Sequence, residues 1–214
     1  MKTYYYGKVS LIDDCIGRVL KALEEKGLME NTWILFSADH GEMLGDHGLI
    51  AKKVFYEGAL NIPCIVRPPE GIDGWQSDGL TDHLDIGATL LDAAGAEAYE
   101  DSDGRSLLPL IAAGPDAPDA QIHKEAVLSE MGLPPMAYSM LRTDRYKMSV
   151  DTLTREPLDL YDMENDPDEL HNRIDDPSLK QVRDGLLEGH LNRLLSRMDM
   201  TSLKGTSAKG WRKR

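Results

Sequence analysis

TWILFSADHGEMLGDHGLIAKK, Thr32 to Lys53, decides how this chain is read. TWILFSA is a short apolar run rich in β-branched and aromatic residues, the composition of a strand buried on both faces. It leads directly into a loop that gathers Asp39, His40, Glu42, Asp46, His47, Lys52 and Lys53 between glycines at 41, 45 and 48. In α/β sheets ligands collect at the carboxyl ends of strands, where rigid strands hold converging loops. Asp39 and His40 occupy that address. Their carboxylate oxygen and imidazole nitrogen reach one divalent cation once the backbone leaves extended geometry, which Gly41 permits. Calcium takes about six to eight oxygens and zinc about four donors, so Glu42, Asp46 and His47 are the local candidates for further ligands. Lys52 beside such a cation suits an anion held between the two, a sulfate or phosphate ester whose oxygens gather charge during displacement. The same residues also suit a polar loop, because Asp and Gly cap helices and permit turns. The residues alone leave both readings open.

Upstream, apolar residues recur at Val9, Ile12, Ile16, Val19, Leu20 and Leu23, which predicts an amphipathic helix over Tyr4 to Lys26 ended by Gly27. Downstream, PCIVR predicts a second short buried strand, and a helix is expected near Asp85 to Ala94, stopped by Gly95. Strand and helix alternate this far, as in an α/β layer fold. SLLPLIAAG and the turn-rich GPDAPDA then mark a boundary, placing one domain at 1–118. Beyond it KEAVLSEM, MAYSMLRT, RYKMSV and EPLDLYDM read as an antiparallel meander, and Leu179 to Met198 as a closing helix, together a subdomain at 119–200. Residues 201–214 form a basic tail expected to be disordered.

The net charge of −13, from 24 basic against 37 acidic side chains, opposes nucleic-acid phosphates and anionic lipid, so neither is expected as a partner. Cys15 and Cys64 fall in helix and strand patterns and are expected as buried thiols rather than a disulfide or thiolate metal site. No apolar run of about 18 residues is present, and MKTYYYGKVS lacks a signal-peptide core, so a cytoplasmic location is expected. Asp13 and Asp14 lie in the first helix, where neighbours point about 100° apart, and are expected as solvent-facing or capping groups rather than a metal pair. Asp162 to Asp166 imitates a calcium loop, but Pro167 stands at the required Gly and Arg173 at the bidentate Glu, so it reads as an Asp-Pro turn. His83, His123 and His171 read as surface or hydrogen-bonding residues, His190 as a structural one, and Tyr56 and Glu57 either as supports for the placement of Lys52 or, equally well, as packing and capping residues.

SADHGEMLGDHGLIAKKVFYEGALNIPCIVRPPEG resembles the second signature region of the sulfatases, enzymes of the alkaline phosphatase superfamily that include phosphonate monoester hydrolases. The resemblance extends over YYYGKVSLIDDCIGRVLKALEEKGLMENTWILFSADHG, DHLDIGATLLDAAG, DGRSLLPLI and LDLYDMENDPDELHN, in that order. It implies an α/β fold, the C-terminal part of an alkaline-phosphatase-like α/β/α sandwich, followed by a small α+β subdomain with an antiparallel sheet and a C-terminal helix. It implies that Asp39 and His40 are ligands of an active-site divalent metal ion, calcium or else manganese. Lys52 would hold a sulfate or phosphate oxygen, and His47 would stand beside the pocket. Ala38, Ala51 and Ala88 depart from the family's usual Ser, Gly and Pro, and none removes a charged or ligating group.

The family's nucleophile lies in a C/S-x-P/A-x-R motif, which this chain lacks: Cys64-Ile-Val-Arg67 and Cys15-Ile-Gly-Arg18 place Arg three residues after Cys. The resemblance thus implies the C-terminal part of a sulfate ester hydrolase, expected to be inactive alone, with an N-terminal half expected in cis or trans and carrying any signal peptide. A phosphate diester or phosphonate monoester hydrolase is the alternative within the superfamily. A non-catalytic binding or dimerising remnant, a homo-oligomer formed through an exposed sheet edge, is the alternative outside it.

Overall fold

The computed structural model describes residues 1–117, 122–133 and 136–192, and these fall into two compact units that divide between Trp75 and Gln76. The first unit opens with α1, Lys2–Glu25, close to the predicted helix. Its stripe stays uncovered: Val9, Ile12 and Val19 are all exposed, as are Asp13, Asp14 and Cys15. A short turn of helix at Met29–Asn31 leads into β1, Ile34–Ser37, which pairs antiparallel with β2, Cys64–Arg67. Arg67 ties the pair to that turn, donating from Nη1 to the Met29 carbonyl at 3.0 Å. α2, Glu57–Leu60, is a single turn between the strands.

The strands correct the sequence reading in their surroundings. Phe36 is 37% and Ile65 60% exposed, and Cys64 is exposed like Cys15, so neither thiol is buried. Composition records what a strand is fit to bury; exposure depends on what lies over it, and among the described residues little covers these side chains.

The second unit contains α3, His83–Ala93, α4, Leu108–Ala113, and a sheet of β3, Ala126–Leu133, β4, Met136–Thr143, β5, Tyr146–Asp151, and β6, Pro157–Asp162. The sheet is the expected antiparallel meander in the order β3-β4-β5-β6. Its strands alternate one face inward, and Leu141, Met148, Val150 and Leu160 pack with Leu186 and Leu191 into the core. The closing helix starts as a turn at Pro177–Leu179, continues as α5, Lys180–Gly185, and widens into a π-type turn over Leu186–Leu191. Leu194, Leu195 and Met198, the basic tail, and the side chain of His190 lie outside what is described. Among the described residues no helix is long and apolar enough to cross a membrane.

Sequence pattern set a division at 118/119, whereas compactness groups α3 and α4 with the sheet. Asp85, fully buried at the start of α3, accepts from the Arg105 backbone N–H at 2.7 Å and pairs with Lys124 at 2.6 Å. Burial alone would raise its pKa, but the nearby His123 ring, the Lys124 ammonium and the backbone N–H groups of Arg105 and Asp82 outweigh that and bring it to about 2. Asp82 and Asp85 complete a reciprocal capping box. Thr89 accepts the Leu107 N–H at 2.9 Å, and a Cβ on Gly104 would lie 2.3 Å from the Leu84 carbonyl oxygen. The DHLDIGAT and DGRSL blocks are therefore two sides of one junction. His123, read as a surface or hydrogen-bonding residue, lies in the loop before β3 with its side chain turned in, Nε2 3.4 Å from Asp85 Oδ2.

The LDLYDMENDPDELHN block is likewise structural. Asp162 takes a two-pronged ion pair from Arg145 at 3.1 and 2.8 Å, which holds its carboxyl well below the usual range. The Asp166 N–H donates to the Asp162 carbonyl at 2.7 Å, so the segment is the expected turn. Lys147 and Glu169, each 2% exposed, form a buried ion pair. Asn172 accepts from the Leu160 N–H at 3.1 Å and donates to the Leu158 carbonyl at 3.1 Å, fastening the following loop to β6.

Candidate metal and anion site

β1 ends at Ser37, and the chain turns at once through Asp39 and His40. The His40 N–H donates to Asp39 Oδ1 at 3.0 Å. Its ring Nδ1 lies 2.8 Å from the Gly41 carbonyl, which only accepts, so Nδ1 carries the proton. Nε2 lies 3.2 Å from Asp39 Oδ2 and, in the neutral ring, is the nitrogen whose lone pair is open to a metal ion. Two donors at about 2.3 Å from one divalent ion and at right angles stand roughly 3.2 Å apart, so this pair fits neighbouring positions of a coordination shell. The carbonyl behind His40 fixes the tautomer in the manner of metal-binding imidazoles. Asp39 is 84% and His40 37% exposed in the side chain, open to further ligands. Among the described residues no group of three or more His, Cys, Asp and Glu side chains converges, so these residues offer two donors.

The remaining acidic and imidazole candidates are occupied in building the loop. Glu42 turns its carboxylate inward, where Oε1 accepts the backbone N–H of Ala51 and, at 3.5 Å, that of Leu44. Asp46 is 3.5 Å from the Lys2 ammonium. His47 lies flat on Tyr56, ring centroids 3.9 Å apart and planes 8° from parallel. Tyr56 sits at the N-cap position of α2.

Gly41 and Met43 anchor the loop. The Gly41 N–H donates to the Ala59 carbonyl at 2.8 Å, and a Cβ there would fall 2.1 Å from the Gly58 carbonyl oxygen. The backbones approach so closely that only glycine fits. Met43 is 1% exposed, and its N–H donates to the Ala51 carbonyl at 3.0 Å. Between these anchors the backbone is left-handed at Leu44, Gly45, His47, Gly48 and Ala51, with φ of 52, 102, 51, 70 and 72°. For residues with a Cβ this costs about 1–2 kcal/mol each. Such strain persists where surrounding contacts over-determine the chain, and it clusters at functional sites. Ala51 is therefore a strained position directly before Lys52. Lys52 is exposed on the loop that Glu42 and Met43 close.

Comparison with known proteins matches the family model Sulfatase over residues 1–96. An uncharacterized sulfatase, YidJ, of Escherichia coli is 32% identical over 212 residues, covering 98% of this chain and 41% of that protein. A protein solved in complex with its substrate D-glucosamine-2-N,6-O-disulfate superposes with a TM-score of 0.79 at 26% identity, over 93% of this chain and 41% of its own. The phosphonate monoester hydrolase of Agrobacterium radiobacter superposes with a TM-score of 0.77 at 28% identity, over 92% of this chain and 42% of its own. The chain thus spans about two fifths of the length of each of these relatives.

Proposed function

We propose, for a chain that belongs to the sulfatase family and corresponds to the C-terminal portion of its fold, that Asp39, His40 and Lys52 are one half of the active site of a metal-dependent sulfate ester hydrolase. The observation that carries this reading is the convergence of Asp39 Oδ2 and His40 Nε2 at 3.2 Å at the carboxyl end of β1, on a strained loop that also holds Lys52. A bound divalent cation, calcium or manganese, would supply Lewis-acid stabilisation of the ester oxygens. Asp39 and His40 would hold that ion, His40 with its tautomer set by the Gly41 carbonyl. Lys52 would place an ammonium against the charge that develops on the oxygens as the ester bond breaks. The nucleophile and the remaining metal ligands come from a second polypeptide segment that completes the site. The exposed apolar residues of α1 and β2 suit contact with that segment.

A phosphate diester or phosphonate monoester hydrolase is the second reading, favoured by the likeness to the Agrobacterium enzyme. Sulfate and phosphoryl groups share tetrahedral shape and in-line geometry, so Asp39, His40 and Lys52 serve either. The test mixes the purified chain with the N-terminal portion of a sulfatase that carries C/S-x-P/A-x-R. Hydrolysis of an aryl sulfate, a phosphate diester and a phosphonate monoester is then followed. The expected result is no turnover by the chain alone and turnover of the sulfate ester by the mixture. Appreciable turnover by the chain alone overturns the half-site reading, and a mixture active only on phosphoryl substrates favours the second. A chain that dimerises and completes no activity supports a binding remnant instead.

A further inference from the structure

We infer that His47 is a positioning residue for Lys52, acting through its stack on Tyr56 rather than by touching substrate or metal; the inference rests on the reading of Lys52 as the anion-holding group. His47 and Tyr56 bracket the segment that carries Lys52, and their rings lie 3.9 Å apart at 8°. His47 is itself left-handed, between Gly45 and Gly48 with the same sign of φ, so its ring is delivered to Tyr56 by an unfavourable backbone. Tyr56 in turn begins α2, whose Gly58 and Ala59 backbone meets Gly41. The stack therefore links the far turn of the loop to the same helix that anchors the metal-ligand end.

Without that link, the outer turn keeps the Glu42 contacts, the Met43–Ala51 backbone bond and short-range bonds such as Gly45 N–H to the Leu49 carbonyl at 2.8 Å. Against them stands the left-handed strain at Leu44, His47 and Ala51. A loop held this way opens readily once one restraint is lost. Ala51 precedes Lys52, so opening at Ala51 scatters the ammonium.

The experiment separates ring from backbone. His47→Gly accepts the left-handed φ and lacks the ring, whereas His47→Phe keeps a ring and bears the strain; Tyr56→Leu removes the other member of the stack. Two quantities are read on the whole chain by NMR: amide exchange at Ala51, whose N–H is bonded to Glu42, and the response of a ¹³C-methylated Lys52 to inorganic sulfate. Far-UV circular dichroism confirms that each variant remains folded. His47→Gly and Tyr56→Leu are expected to accelerate Ala51 exchange and weaken sulfate binding about 3- to 10-fold, the range of an aromatic stack, with His47→Phe close to the parent. A parent chain in which sulfate leaves Lys52 unmoved removes the reading of Lys52 as an anion group. The stack is then judged by Ala51 exchange alone, where acceleration supports it and no change overturns it. His47→Gly behaving as the parent while His47→Phe loosens the loop overturns the inference, because backbone and not ring would then be decisive.

Discussion

Gly41→Ala tests most sharply how the DHG segment is held. The new Cβ would stand 2.1 Å from the Gly58 carbonyl oxygen and 3.3 Å from Ala59 Cα, both backbone atoms of α2. A carbon and a carbonyl oxygen rest at about 3.3 Å or more, so the two segments must part by about 1 Å. Overpacking of this kind costs about 1–3 kcal/mol. The parting also breaks the 2.8 Å bond from the Gly41 N–H to the Ala59 carbonyl, worth about 1 kcal/mol. The sum, about 2–4 kcal/mol, corresponds to roughly 30- to 800-fold in the local closed-to-open ratio. Urea denaturation followed by fluorescence, together with amide exchange at Gly41, reads it. Gly58→Ala is the control, because its Cβ meets the Met43 sulfur at 3.2 Å, the mobile part of a flexible side chain. Its cost is expected below about 1 kcal/mol. A Gly41→Ala chain as stable as the parent, with Gly41 equally protected, would refute the close-approach argument.

Lys147→Met strips a buried carboxylate, Glu169, of its ammonium and is expected to cost about 3–5 kcal/mol in urea denaturation. The double change with Glu169→Leu recovers most of that, and equal losses in single and double variants would contradict the ion-pair account. Asp85 is depressed from 3.8 to about 2 in the folded chain, so its contribution to stability is full above the unfolded value and lost as pH falls through the folded one. The difference amounts to about 2 kcal/mol. Stability should therefore decline from about pH 4 toward 2, and Asp85→Asn should flatten that decline while lowering stability at neutral pH. Ala51→Gly relieves the φ of 72° and is expected to raise stability by about 0.5–1 kcal/mol, seen as a higher urea midpoint. A lower midpoint would count against strain at that position.

Periodicity carried much of the fold. α1 and β3 to β6 lie close to where apolar spacing put them, because turn residues and alternation report local geometry faithfully. Burial was less legible. Phe36, Ile65, Cys15 and Cys64 have the composition of a core and lie exposed, since what covers a residue is not written in its own segment. Contacts distant in sequence escaped for the same reason: nothing near His123 or Lys124 signals that both face Asp85. At the candidate site the adjacency of Asp39 and His40 was visible directly. The inward turn of Glu42 and the stack of His47 on Tyr56 were not, because both depend on left-handed backbone at Leu44, His47 and Ala51, a conformation uncommon outside glycine and not signalled by these residues.

The central claim, that Asp39 and His40 hold a divalent ion, is tested most directly by titrating the chain with manganese and mapping paramagnetic broadening of its amide signals. Broadening is expected to centre on Asp39 and His40 and to vanish in the Asp39→Asn, His40→Ala double variant. Broadening that centres on the Asp162 to Asp166 turn, or persists unchanged in the double variant, would contradict it.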